Sequence, residues 1–260
     1  TMHGSSSPVH GEGHETSNNQ LTQQPRERIM RANAIKLWEG PSELDGAPVM
    51  VLLTGLAKSS KNTKTGDMLQ TWILRTDLAP HEAVKTGQDA SVCGECPLRP
   101  ALFERGAVSE RPCYVKVFQA PLSTWKANRH APVTAPEAAR ALVGDRVVRR
   151  GSYGDPAAVP AHVWDNLSAS PGTGYTHQWR DADLSARVMA SVHTSDEREQ
   201  AHARGYRTFR VVSSVDDVES GEILCPASKE AGARVQCADC NLCNGSRPGD
   251  KRKSIAIVAH

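Results

Sequence analysis

Seven cysteines in two groups constrain this chain more than any other feature: Cys93, Cys96 and Cys113, then Cys225, Cys237, Cys240 and Cys243. As ligand spacing the first group reads C-x2-C-x16-C and the second C-x11-C-x2-C-x2-C. A C-x2-C step lets two sulfurs grip one centre from a single turn of backbone, and soft thiolates select zinc or iron-sulfur clusters. Two metal sites are therefore expected, and the fold has to gather each set from separate segments. The odd count argues against complete disulfide pairing. With no apolar leader at the start of the sequence, the expected compartment is a reducing cytoplasm, where thiols persist.

The C-terminal group supplies four thiolates in a stretch with Pro226, Gly232, Gly245 and Pro248 and few apolar residues between ligands. Such a loop orders poorly alone, and a metal supplies the missing organising energy. Its two consecutive C-x2-C steps favour [4Fe-4S] over a zinc ribbon, whose knuckles are separated by a longer insert. The first group supplies three thiolates, which suits a cubane with one iron free for substrate or cofactor. Zinc is the alternative, with His130 or His81 completing a closed Cys3His set. Cys113 also fits a small buried core residue.

Of the 260 residues 38% are hydrophobic, enough for one sizeable core or two modest ones without disulfide staples, and no long apolar stretch predicts a membrane span. A net charge of +2 gives little support to a nucleic-acid partner. The short basic runs at 146–150 and 251–253 read as solvated faces. Residues 1–28, rich in Ser, Gly, His, Gln and Asn, read as a disordered tail with solvated His3, His10 and His14.

The remaining chain divides into a β-hairpin region (29–90), an α/β core carrying the first cysteine site (91–220) and a cysteine-rich segment with a final strand (221–260). Residues 49–56 and 68–75 read as the hairpin strands around a turn at 62–67. Beyond the first cysteines, helix-like segments at 121–128, 136–142, 160–167 and 195–203 alternate with strand-like segments at 146–150, 175–179, 188–192 and 206–212. The expected fold is α/β, with a partial or full β/α barrel-like core. In such folds polar groups at strand ends face the active site. Tyr153, Asp155, His177, Gln178 and His193 are accordingly the candidate catalytic residues, and Gly154, Asp155 and Tyr175 the candidate cofactor contacts. Asp155 and Ser195 equally fit helix caps.

Cys93-Gly94-Glu95-Cys96-Pro97, Cys113-Tyr114-Val115, Gly154-Asp155, Cys225-Pro226-Ala227-Ser228 and Cys237-Ala238-Asp239-Cys240-Asn241-Leu242-Cys243 together resemble uncharacterised phage and mobile-element proteins, the nearest being the phage gene-product-88-like family. The likeness spans roughly residues 90 to 245, and is similar more distantly to radical S-adenosylmethionine enzymes with an auxiliary cluster. In those enzymes the first three cysteines usually form a compact C-x3-C-x2-C loop; here 16 residues separate Cys96 from Cys113. The resemblance implies a first [4Fe-4S] cluster on Cys93, Cys96 and Cys113, Tyr153 and Asp155 lining an S-adenosylmethionine pocket, and an auxiliary cluster on the later four. It implies a nucleotide or nucleic-acid substrate. The other reading is a metal-braced nucleic-acid-binding protein using Trp125, Arg129, Arg146, Arg149, Arg150 and the lysines of 251–253. Neither reading fixes the oligomeric state.

Overall fold

A computed structural model describes residues 1–2, 32–60, 62–99, 113–167 and 171–259. The chain divides into two compact units, Thr1–Ala32 and Asn33–His260, and the fold below is that of the second. The expected tail at 1–28, with His3, His10 and His14, lies outside the described residues save for the first two.

The described strands form one nine-stranded sheet in the order β1-β2-β3-β4-β5-β6-β7-β9-β8. β1 (Ala34–Pro41), β2 (Pro48–Thr54) and β3 (Leu69–Arg75) are antiparallel neighbours. β2 and β3 are the hairpin expected from the sequence, but β1 precedes it on the outer edge. From β3 onward the pairing is parallel: β4 (Val148–Tyr153), β5 (Gly172–Thr176), β6 (Met189–Val192), β7 (Thr208–Val212), then β9 (Ser254–Val258), with β8 (Glu222–Leu224) as the far edge. A closed barrel needs its two edge strands to pair. β1 and β8 do not pair with each other, so the sheet is open and the full barrel does not form.

Parallel strands need crossover connections, and helices supply most of them. α1 (Pro80–Lys85), α2 (Ala90–Cys93), α3 (Ala120–Asn128) and α4 (Pro136–Val143) lie between β3 and β4, and α5 (Ala161–Asp165) between β4 and β5. α6 (Ser195–Ala203) joins β6 to β7, with the bounds its sequence pattern predicts. Its N-cap is Thr194, whose hydroxyl accepts from the Glu197 backbone N–H at 3.1 Å; Ser195 instead donates to Glu219. α7 (Cys237–Cys240) is a single turn in the C-terminal segment.

The core accounts for the strand sequences. Residues 49–53 of β2 are wholly buried, so this strand is apolar throughout rather than alternating. Residues 49–52 pack with Ile73, Val92, Tyr153, Val163 and Trp164 in the largest apolar cluster, and Leu53 joins a second one with Ile35, Leu69 and Val148. Gly154 has φ +86°, and a Cβ there would stand 2.6 Å from Ile73 Cβ and 2.9 Å from the Ile73 carbonyl oxygen. Gly154→Ala is expected to cost about 1–3 kcal/mol through that strain. Urea unfolding measures it, and an unchanged midpoint would remove the packing explanation.

Candidate metal centres

Each C-x2-C step owes its shape to a residue that reverses the chain. α2 ends at Cys93, and Gly94 (φ 55°) turns the backbone so that the Cys96 N–H reaches the Cys93 carbonyl at 3.2 Å. A Cβ at Gly94 would lie 2.5 Å from Gln178 Nε2, so glycine serves both the turn and the close approach. In the second group one helical turn puts Cys237 and Cys240 on the same side. Asn241, in the left-handed region at φ 48°, ends that turn and sends Cys243 back inward.

All seven cysteines are free thiols, and they gather in two sets. Within the first, Cys93, Cys96 and Cys113 are all close enough to raise one another's pKa or be raised. Within the second, each of the six pairs among Cys225, Cys237, Cys240 and Cys243 interacts electrostatically. Cys225 and Cys243 are buried with Met189, Ala227 and Ile255 on the sheet. Among the described residues, no group of three or more His, Cys, Asp or Glu side chains is drawn in closely enough to hold a single metal ion.

The first set adjoins the carboxyl ends of the parallel strands β4 and β5. The Asp155 N–H, just past β4, donates to the Val92 carbonyl at 2.6 Å, tying that strand end to the cysteine loop. Asp155 carboxylate oxygens accept from the Ala157 N–H at 3.0 Å and from the His177 N–H at 2.7 Å, so this buried side chain both caps a 3-10 turn and orients the end of β5. His177 Nε2 lies 3.8 Å from Cys96 Sγ and 3.4 Å from His193 Nε2. Gln178 Nε2 approaches the Cys93 carbonyl at 3.5 Å. Thus Asp155, His177, Gln178 and His193 meet around the first thiols. His81 and His130 are both exposed, and the imidazole beside the thiols is that of His177.

Two other expected pocket groups lie elsewhere. Tyr153 is 4% exposed within the apolar core. Tyr175 packs against the cluster that holds Cys225 and Cys243, beside the second thiol set. Gly154 packs against Ile73 and Val92 on the side its missing Cβ leaves open. A cavity of about 470 Å³ lined by His193, Arg210, Asp216, Asp217 and Glu219 adjoins the first site only through His193.

Burial raises thiols in both sets, and Arg99 lies within electrostatic reach of Cys93 and Cys96. Burial raises the Cys93 thiol well above its ordinary value, and Asp89, Cys96, Cys113 and Asp155 push the same way. Burial likewise pushes Cys96 up to about 11. Asp155 is raised by burial against the pull of its hydrogen bonds. His177 is pushed down to about 4 by burial and then by His193, so its ring is neutral at physiological pH. In the second set burial also raises Cys225 and Cys237, but Lys64 opposes it at both and Arg149 at Cys237. Metal loading at either set would release protons and tighten as pH rises.

One functional element escaped the sequence reading. Arg99 donates to Asp89 from Nε at 3.1 Å and from one terminal nitrogen at 2.8 Å, and to the carbonyls of Gly94 (2.8 Å) and Gly87 (2.9 Å). It straps the Cys93–Cys96 turn to buried Asp89. Arg99→Ala should lower metal retention at the first site by about 10–100-fold, the range for lost outer-shell partners. Chelator competition reads this, and unchanged retention would show the strap to be dispensable. Only proximity of Arg99 to the C-x2-C step could have flagged it.

No protein-family model, curated protein or solved structure matches this chain. Among the described residues no helix is long and apolar enough to cross a membrane.

Proposed function

We propose that this chain is an iron-sulfur protein with two [4Fe-4S] centres. One rests on Cys93, Cys96 and Cys113 at the strand ends of a partial β/α barrel, and the other on Cys225, Cys237, Cys240 and Cys243, bracing the C-terminal segment. The observation carrying this reading is the gathering of all seven thiols into two sets. A tetrahedral zinc ion, with Zn–S about 2.3 Å, draws its sulfurs to about 3.8 Å from each other. A cluster spreads its thiolates over separate irons, and the consecutive C-x2-C steps of the second group are what favour it over zinc.

The proposed activity is radical S-adenosylmethionine-like, on a nucleotide or nucleic acid, because three thiolates leave one cubane iron for a cofactor. The cluster would supply the electron for breaking the cofactor's carbon-sulfur bond. The chain's own contribution is orientation and exclusion of water. Asp155 holds His177 in place through its backbone N–H, and Gln178 packs on the Cys93 turn. Neutral His177 and His193 can each accept or donate a hydrogen bond to a bound polar group.

The nucleic-acid-module reading draws less support, because its arginines are engaged internally. Arg146 donates to the carbonyls of Gly55 and Leu56, Arg150 is buried, and Arg129 lies 4.4 Å from the Trp125 ring centroid. Anaerobically purified protein should be brown, absorb in the blue and contain iron and sulfide. Colourless protein holding only zinc would overturn the cluster reading. Under reducing conditions it should cleave S-adenosylmethionine, and Cys93→Ala should abolish cleavage while the C-terminal iron stays. Intact cleavage in that variant would dismiss the first site as catalytic.

A further inference from the structure

The segment that leads from Cys113 into α3 carries an outward face that neither thiol set uses. From Tyr114 to Phe118 exposure alternates residue by residue. Val117 is buried in the largest apolar cluster and Val115 packs against it, which turns Tyr114, Lys116 and Phe118 outward. Tyr114 is 72% exposed and Phe118 64%. The backbone beneath them is fixed, with the Gln119 N–H donating to the Lys116 carbonyl at 3.0 Å and the Leu122 N–H to the Val117 carbonyl at 3.1 Å. The Tyr114 ring is held as well, because its hydroxyl accepts from Arg149 at 2.9 Å while most of its surface stays in solvent. From residue 113 to residue 136 the sequence carries Lys116, Lys126 and Arg129 and no Asp or Glu.

We propose that Tyr114, Lys116 and Phe118 form a docking strip for single-stranded nucleic acid, the two rings stacking on unpaired bases and the lysine between them meeting phosphate. The inference deepens the nucleotide or nucleic-acid reading and rests on it for the strand's role as substrate. Rings held in place with their surface in water lose little conformational freedom when a base covers them, so stacking is gained at small entropic cost. An unpaired base offers a free π-face, whereas the bases of a duplex are already stacked on one another. An apolar protein partner would cover the rings but leave Lys116 between them without a counter-charge; phosphate supplies one. The strip begins one residue past Cys113, so a strand lying on it passes beside the first thiol set.

The test is fluorescence anisotropy of the full-length protein with a fluorescein-labelled strand of about 15 deoxythymidines, near the upper end of single-strand site sizes. Tyr114→Ala and Phe118→Ala should each weaken binding about 5- to 150-fold, the range for one lost stack. Tyr114→Phe keeps the ring and should bind more tightly than Tyr114→Ala. Lys116→Gln should flatten the slope of log affinity against log salt by about 0.7, the share of one phosphate on a single strand. The same strand annealed to its complement should bind more weakly than it does alone. Parent-like affinity in both alanine variants, or equal affinity for the duplex, overturns the strip. So does a changed oligomeric state of Phe118→Ala at parent-like strand affinity, which would give this face to a second copy of the chain. The strip and the clusters fail separately. Colourless protein that binds the strand through these residues supports the strip and defeats the cluster reading; brown protein that ignores the strand overturns the strip and leaves the clusters standing.

Discussion

On the proposed two-cluster reading, replacing Cys237 and Cys240 together with alanine is expected to empty the C-terminal centre and loosen the segment that carries it, while iron at the first site remains. A structural thiolate metal contributes on the order of 10 kcal/mol of apparent folding free energy, comparable to the whole net stability of a typical domain. Hydrogen bonds also hold residues 225–253, among them the Arg207 side chain to the Leu242, Gly245 and Lys253 carbonyls and the Ser246 N–H to the Ser185 carbonyl at 2.7 Å. α7 is one turn long, and the attachments of the segment include Cys237 N–H to the Lys64 carbonyl at 2.9 Å, Gln236 Nε2 to the Thr63 carbonyl at 2.9 Å and Gly174 N–H to the Cys243 carbonyl at 3.2 Å. Iron and sulfide content should fall to the share of the first centre, and limited proteolysis should cut between 225 and 253. Parent-like digestion and iron would mean that the thiols are packing groups in the apolar cluster they share with Met189 and Ile255.

Glu222→Ala is expected to cost about 3–5 kcal/mol, the range for breaking a buried ion pair from one side. The Glu222 side chain is fully buried, and Arg210 reaches it with Nε at 2.9 Å and a terminal nitrogen at 2.6 Å. Removing the carboxylate leaves Arg210, 7% exposed, with Glu219 at 3.2 Å and the Asp217 carbonyl at 2.7 Å as its remaining partners. Burial alone would raise the Glu222 pKa; hydrogen bonds from Arg210 and the Glu219 N–H outweigh it and hold it below the ordinary value. A depressed folded-state pKa means that the contribution is present above the unfolded carboxylate value and lost as pH falls through the folded one. Urea unfolding at pH 7 and pH 3 should therefore show a variant deficit that shrinks in acid. A deficit below about 1 kcal/mol at pH 7 would place this pair among the weakly coupled surface pairs.

Element type was legible wherever one local pattern covered a whole element. The 195–203 helix and the 49–56 and 68–75 hairpin strands are examples. β1 was not legible because Lys36 and Glu39 interrupt its apolar pattern. Lys36 is 2% exposed and bonds Glu39 at 2.5 Å and the Arg129 carbonyl at 2.7 Å, a partnership from across the chain. β8, at three residues, is too short to leave a periodic signal. Asp155, His177, Gln178 and His193 were singled out because strand ends concentrate polar groups, and the structure brings them together beside Cys93 and Cys96. Tyr175 instead packs with the other thiols, a contact made across the sheet that no local pattern records. Arg99 was missed because a single arginine beside a cysteine pair carries no pattern.

The two cysteine groups and the α/β alternation were legible in the sequence alone, because C-x2-C spacing and local periodicity are properties of the chain itself. Tertiary structure decided which charges surround each set, Asp89, Asp155 and Arg99 at the first and Lys64 and Arg149 at the second, and left the sheet open. The reason is that charge and contact act through space. Strand order and register bring Arg149 to Tyr175 and His177 to Cys96, and neither is written in local periodicity.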